Sequence, residues 1–200
     1  MTKARKLLLT MLVVGIAGSA LSFGVFSAFS DTTSNTGNQF TAGSVIVDDN
    51  DLDVAMFNNV TGGKPGSANK VERCIKVSYS GTLDSDVKLY TTDASLGTLA
   101  PYVDVTIEKG SFPGAPPANF GCTGYQADSP GGTIYTGTLS NFRSTYNSWG
   151  SGLASSPGSA TKWAQNNSVV YRFSYTVQDN NNAQGLTTGL HSYTWEARNQ

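Results

Sequence analysis

Residues 168–179 read SVVYRFSYTVQD. Val169, Tyr171, Phe173, Tyr175 and Val177 share one parity, and Arg172, Ser174, Thr176 and Gln178 share the other. A period of two marks a β-strand, because successive side chains leave opposite faces of an extended backbone. One apolar row and one polar row require a core on one side and water on the other, so the stretch commits the domain to a sheet buried on a single face. The same alternation recurs in VERCIKVSYS (71–80), where Val71, Ile75, Val77 and Tyr79 oppose Glu72, Lys76 and Ser78. Val103, Val105 and Ile107 oppose Asp104, Thr106 and Glu108; Tyr193, Trp195 and Ala197 oppose Thr194, Glu196 and Arg198. Further strand candidates at 40–47, 52–57, 86–92 and 133–139 bring the expectation to about eight, separated by Gly, Pro, Asn and Asp. The composition, rich in Thr, Ser, Gly, Asn, Val and Tyr, agrees. The expected class is all-β, a jelly-roll-like antiparallel β-sandwich, with one short helix at most, within 139–149.

The first 27 residues differ. Lys3, Arg5 and Lys6 are followed by an uncharged run from Leu7 to Ser27. A basic start, an apolar stretch and small residues near its end are the pattern of a helical signal peptide. Val25-Phe26-Ser27 places the expected cut between Ser27 and Ala28; an uncut membrane anchor is the alternative, since the run is long enough to span. The expected organisation is a signal peptide over 1–27, an extended N-terminal segment over 28–39 and a β-sandwich domain over 40–200. Cleavage leaves ten basic against fourteen acidic groups, a net charge of −4. That excess lacks the basic face that a nucleic-acid partner requires.

Two cysteines, Cys74 and Cys122, lie beyond the signal. Outside the cell an even pair most simply forms one disulfide, the alternative being two free thiols. Cys74 has the parity of Glu72 and Lys76, so its side chain points away from the core. Cys122 lies in 110–132, GSFPGAPPANFGCTGYQADSPGG, which holds four of the seven prolines and reads as a long irregular loop. A bridge would pin that loop against the outer face of the sheet. Residues 150–163, GSGLASSPGSATKW, read as an exposed Gly/Ser-rich connection.

Catalytic chemistry is sparse. His191 is the single histidine and reads as a strand-end or surface residue; neither a nucleophile elbow nor a zinc-peptidase helix motif occurs. Two sulfurs and one histidine fall short of a four-ligand zinc set, so no metal, cofactor or catalytic residue is expected. Residues 48–53, DDNDLD, hold four acids; a calcium loop is one reading and a solvated acidic turn the favoured one, because the glycine and closing glutamate of an EF-hand are missing. Asn59-Val60-Thr61 and Asn166-Asn167-Ser168 match the glycosylation triplet, and Tyr146, Trp149 and Trp163 are candidates for a sugar platform or for packing.

The string FSAFSDTTSNTGNQFTAGSVIVDD (26–49) resembles the TasA/camelysin family of secreted bacterial proteins. The likeness is carried by Phe29, Ser30, Asp31, Gly37, Asn38, Phe40, Ala42 and Gly43 in order. Weaker likenesses lie at Lys64-Pro65-Gly66, in SGTLDSDVKLY (80–90), and in the closing stretch at Ala183-Gln184-Gly185 and Trp195-Glu196-Ala197. Residues 93–165 carry none. The resemblance implies a jelly-roll subunit of extracellular fibres in a biofilm matrix, exported through a dedicated signal peptidase. Its partner would be a second copy of itself or a minor companion matrix protein, and the membrane would be met only through the signal peptide.

It also implies that Ala28, Phe29, Ser30, Asp31 and the residues up to Asn38 serve as a donor strand for the neighbouring subunit. The residues make this physically reasonable. Ala28 to Gln39 is polar, lacks proline and has only Phe29 as a large apolar anchor, while sandwich edges carry unpaired N–H and C=O groups. A loose chain terminus is the competing expectation. Two other functions stay open at this point. One is a camelysin-type metalloendopeptidase, which a single histidine makes hard to assemble. The other is an adhesin or carbohydrate-binding module using the cysteine-bearing loop.

Overall fold

The computed structural model describes residues 30–32, 43–52, 54–57, 60 and 63–199. Residues 1–27 of the expected signal peptide, including Ser27 at the expected cut, and Ala28, Phe29 and Asn38 of the expected N-terminal segment lie outside the described residues. The described chain is mostly β: ten strands in two sheets, with every strand pairing antiparallel. The strands are β1 (Ser30–Thr32), β2 (Val47–Asp49), β3 (Val71–Tyr79), β4 (Asp86–Tyr90) and β5 (Val103–Ser111), then β6 (Gln126–Ala127), β7 (Thr133–Thr138), β8 (Leu153–Ser155), β9 (Ser168–Val177) and β10 (Thr194–Arg198).

One sheet runs β1-β10-β4-β8. The other runs β2-β3-β9-β5, with β6 and β7 both on the far side of β5. The quoted stretch is β9, the middle of the larger sheet. It pairs with β3 from Val71↔Tyr175 to Ser78↔Ser168 and with β5 from Val103↔Val177 to Gly110↔Val170. Its apolar row faces the core as expected: Tyr171 and Phe173 are fully buried, alongside Ile75, Val77 and Tyr79 of β3 and Val105 and Ile107 of β5. Val87 and Leu89 of β4 and Trp195 and Ala197 of β10 close the same core from the smaller sheet.

Several expected elements take other forms. Of residues 43–47, the described part of the expected strand 40–47, only Val47 is in a strand, β2, which extends to Asp49. Of the described residues within 52–57, Leu52, Met56 and Phe57 lie in turns and none is in a strand; Leu52 adopts φ 53° and is 88% exposed, a geometry that breaks a ladder. The irregular loop 110–132 contributes β6 and the last two residues of β5. The supposed exposed connection 150–163 carries β8 and ends in Trp163, which is fully buried and donates Nε1–H to Ser155 O at 2.6 Å. An apolar anchor at the end of a Gly/Ser-rich run is enough to pull that run onto the sandwich. The helix α1 (Leu139–Thr145) falls inside the expected window. Thr138 caps it by accepting from Asn141 N–H at 3.1 Å, and Leu139 and Phe142 bury its inner side.

Candidate functional site

Three places on this scaffold collect polar side chains: the open edge at β1 and β10, the outer face of the larger sheet, and the end of the sandwich around His191.

At the first, β1 lies at the edge of the smaller sheet. Ser30 pairs with Arg198, Asp31 with Ala197 and Thr32 with Glu196. The segment that the sequence offers to a neighbouring subunit is thus placed, for its three described residues, on the chain's own β10. Beneath this pairing Glu196 is only 3% exposed although it sits on the polar row of β10. Its carboxylate accepts from Tyr90 Oη–H and from Arg198 Nε–H, both at 2.7 Å. Trp149, from the loop after α1, packs against the same face, with the Arg198 guanidinium carbon 4.6 Å and Lys88 Nζ 4.9 Å from the ring centroid. A buried carboxylate with two donors is stable, and stacking on Trp149 holds Arg198 in place as one of them. The strand that receives β1 is therefore fixed by side chains that pure alternation assigns to water.

On the larger sheet, Cys74 and Cys122 are joined by a disulfide with Cα atoms 5.3 Å apart, and Cys74 N–H donates to Phe120 O at 2.9 Å. The loop after β5 crosses the outer face of β9, where Tyr125 covers Arg172 with 4.7 Å from guanidinium carbon to ring centroid. Arg172 in turn pairs with Glu108, Nη2 to Oε2 2.5 Å. The outward parity of Cys74 thus produces the pinned loop that the sequence suggests.

At the sandwich end, His191 Nε2 lies 2.9 Å from Tyr175 Oη, which also hydrogen-bonds Tyr193 Oη. Asp93 accepts from Ser192 N–H at 2.8 Å, Ser192 Oγ–H at 2.9 Å and Thr91 Oγ1–H at 2.8 Å. Gly97 permits this packing. Its N–H donates to Thr188 O at 2.6 Å, and a Cβ there would stand 2.2 Å from Thr187 O. His191 is half-buried, not a surface residue, and sequence parity gave no sign of its neighbour Tyr175, which lies on β9.

The remaining candidates are not brought together. Trp163 is buried, Tyr146 packs on Tyr135 and Phe142, and Trp149 is occupied by two cations, so no common sugar platform forms. A cleft of about 290 Å³ runs beside β4 and β8, where Asp86 is paired with Lys162 at 2.7 Å. Among the described residues no three His, Cys, Asp or Glu side chains converge as a metal set, and no helix is long and apolar enough to cross a membrane. In the acidic turn, Asp49 accepts from Asp51 N–H at 3.0 Å.

Two groups tie stability to pH. Burial, reinforced by a hydrogen bond with Asp51, raises the Asp49 carboxyl from 3.8 to about 7. The native chain then keeps a proton that the unfolded chain releases near pH 4, so Asp49 makes stability fall as pH rises from about 4 to about 7. Burial lowers His191 from its ordinary 6.5, against the opposing effects of the Gly189 carbonyl and Asp93. The unfolded chain then binds a proton that the native chain refuses, so the His191 contribution is lost as pH falls below about 6.5. Asn at position 49 imitates the protonated acid. Asp49→Asn is expected to match the parent near pH 4 and to exceed it above pH 7, read from urea midpoints across that range; equal midpoints above pH 7 would remove the assignment.

Comparison with protein-family models gives no match for this chain, and comparison with curated proteins gives none either.

Proposed function

We propose that the chain is a secreted structural subunit of extracellular matrix fibres, of the TasA/camelysin kind and of jelly-roll type, that polymerises by exchanging its N-terminal strand with the next copy. The observation that carries this reading is the position of Ser30–Thr32: a short strand on the outer edge of β10, held there through backbone pairing. A few backbone hydrogen bonds contribute about 0.5–1.5 kcal/mol each, so the strand can leave its own edge without unfolding the sandwich. The same register made with a neighbour's β10 satisfies the same groups. Each copy then gives one strand and receives one, a heterologous contact that propagates instead of closing. The disulfide fits export to an oxidising exterior, and the ordered string from Phe29 to Gly43 supports the family.

Removal of Ala28 to Asn38 tests this. The truncated chain is expected to stay folded and monomeric, while the parent, purified after secretion, forms filaments on sizing and negative-stain imaging. Filaments of undiminished abundance from the truncated chain, or a parent that stays monomeric under all conditions, would refute the reading.

A further inference from the structure

We propose that Tyr175 is a redox-active tyrosine with His191 as its proton acceptor, a site that gives up one electron to radical oxidants reaching the molecule. Tyr175 lies near the end of β9, and His191 in the connection leading to β10. His191 Nε2 stands 2.9 Å from Tyr175 Oη, and the two rings stack with an interplanar angle of 16° and centroids 5.8 Å apart. His191 Nδ1 faces Gly189 O at 3.4 Å. A carbonyl only accepts, so these contacts assign the imidazole proton to Nδ1 and the lone pair to Nε2. Tyr175 Oη–H therefore donates to Nε2, and Tyr193 Oη–H donates to Tyr175 Oη.

A phenol resists oxidation unless its proton can leave with the electron, because the protonated radical is a high-energy cation. A base within hydrogen-bond reach of that proton is the first requirement, and 2.9 Å meets it. Burial raises both phenols above their ordinary 10.0, which keeps their protons on at neutral pH. Burial also lowers His191 from 6.5, which keeps the imidazole neutral and able to accept. In the step, the oxidant takes one electron from the Tyr175 ring, the Oη–H bond breaks, and the proton crosses to Nε2. A neutral phenoxyl is left beside an imidazolium. A small radical oxidant such as nitrogen dioxide becomes nitrite. A reductant of the ascorbate class then returns one electron, His191 returns the proton to Oη, and the reductant's own proton leaves to solvent. Two charged groups stand near the imidazole. Asp93 favours its charged form, and Arg143 lines the same small cavity with its guanidinium held on Asp93 O and Ala94 O.

The packing of the core directs oxidation to this pair. The Tyr193 ring lies 4.5 Å from Phe173 and 5.4 Å from Phe142, centroid to centroid. Phe142 stands 5.1 Å from Tyr135, and Phe173 stands 6.1 Å from Trp195, which is 5.3 Å from Tyr171. An electron vacancy formed on one of these rings passes between neighbours until a proton can leave with it. The other members offer no such exit. Tyr135 Oη–H donates to a carbonyl, Thr138 O; Tyr171 Oη meets a hydroxyl, Ser155 Oγ; Trp195 Nε1–H has no base beside it. Tyr90 does have a carboxylate partner in Glu196, but among the described residues it shares no ring contact with the cluster. Since His191 is the single histidine, Tyr175 is the one tyrosine that donates to an imidazole. Holding the vacancy there spares Trp195 and Tyr171 from irreversible oxidation.

The test uses the full purified chain, and its outcome does not depend on fibre formation. Flash oxidation by photogenerated tris(bipyridine)ruthenium(III), on chain grown with isotope-labelled histidine, is expected to give a neutral tyrosyl radical. Electron spin resonance should show that radical coupled to a labelled histidine nitrogen. Because His191 is the single histidine, the coupling identifies the pair in the unmodified chain and decides the matter if a variant fails to fold. Radical formation is expected to slow as pH falls through the lowered pKa of His191, because an imidazolium accepts no proton. His191→Gln keeps an acceptor without a base and is expected to slow formation about a hundredfold. Tyr175→Phe should remove the coupled radical, and Tyr90→Phe should leave it unchanged. No tyrosyl radical, a radical without histidine coupling, or a rate indifferent to pH from about 7 to about 4 overturns the site. So does a folded His191→Gln chain that matches the parent, or a signal lost in Tyr90→Phe instead.

Discussion

Replacing both cysteines, Cys74→Ala with Cys122→Ala, is expected to cost about 4 kcal/mol of unfolding free energy. The bridge closes a loop of 48 residues, and the loop-closure relation for that length gives about 4 kcal/mol at 25 °C. For a chain of this size the loss corresponds to a fall in melting temperature of roughly 12 °C. The figure is a ceiling for a structural reason. Asn119 and Phe120, just before Cys122, are held at φ 55° and 57°, a left-handed geometry that a bulky side chain adopts only under constraint. Cutting the bridge releases that strain and returns part of the loss. The effect is also local. Without the disulfide, the loop is held against the sheet by one backbone hydrogen bond, Cys74 N–H to Phe120 O, by the contact of Tyr125 with Arg172 and by the partly buried Phe120 ring against the core. Hydrogen exchange should therefore accelerate first in residues 112–125, with the core of β9 still protected. A melting temperature within 3 °C of the parent, or exchange that rises uniformly over the sheet, would show that the strap is held by something else.

The central strands were legible because their physics is local. Alternation alone places β3, β5, β9 and β10 and assigns nearly every core side chain on them, and the outward parity of Cys74 suffices to put the bridge on the outer face. What escaped depends on partners distant in sequence. β1 is polar and is a strand only because β10 offers it an edge. β8 follows a Gly/Ser signal that says loop, and it forms because Trp163 anchors the far end of that stretch in the core. Glu196 sits on the row that alternation gives to water, yet Tyr90, Arg198 and the Trp149 loop cover it. His191 reads as an isolated residue at a strand end, since its partner Tyr175 stands on β9 of the larger sheet while Tyr193 precedes β10 of the smaller one. Periodicity reports which face a residue takes; it is silent on which loop comes back to cover that face.

Lys109 is the clearest case of that silence, and its replacement should be nearly as damaging as loss of the disulfide. It follows Ile107 on the inward parity of β5, where a lysine reads as an interruption, and it is only 9% exposed. Its ammonium donates to Ser156 O and Gly158 O, both at 2.8 Å, and pairs with Asp128 Oδ2 at 3.2 Å. Three acceptors for three protons make this a satisfied buried charge that ties the connection after β8 to the end of β5. Lys109→Met keeps the apolar stem and removes every one of those donors. Two carbonyls and a carboxylate are then left to find water. Breaking a buried pair costs about 3–5 kcal/mol, and the partial exposure of Asp128 places this case near 3 kcal/mol, a drop of roughly 9 °C. Lys109→Arg should not restore the loss, because a planar fork cannot direct three protons at acceptors converging on one point. The damage should be uneven as well. Backbone bonds from Lys109 N–H to Gly132 O and from Asp128 N–H to Lys109 O keep residues 126–132 on the sheet, whereas residues 156–160 lose their main tether. Faster exchange confined to 156–160 together with the lowered melting temperature is the expected result. A variant as stable as the parent would mean that Lys109 merely fills space there.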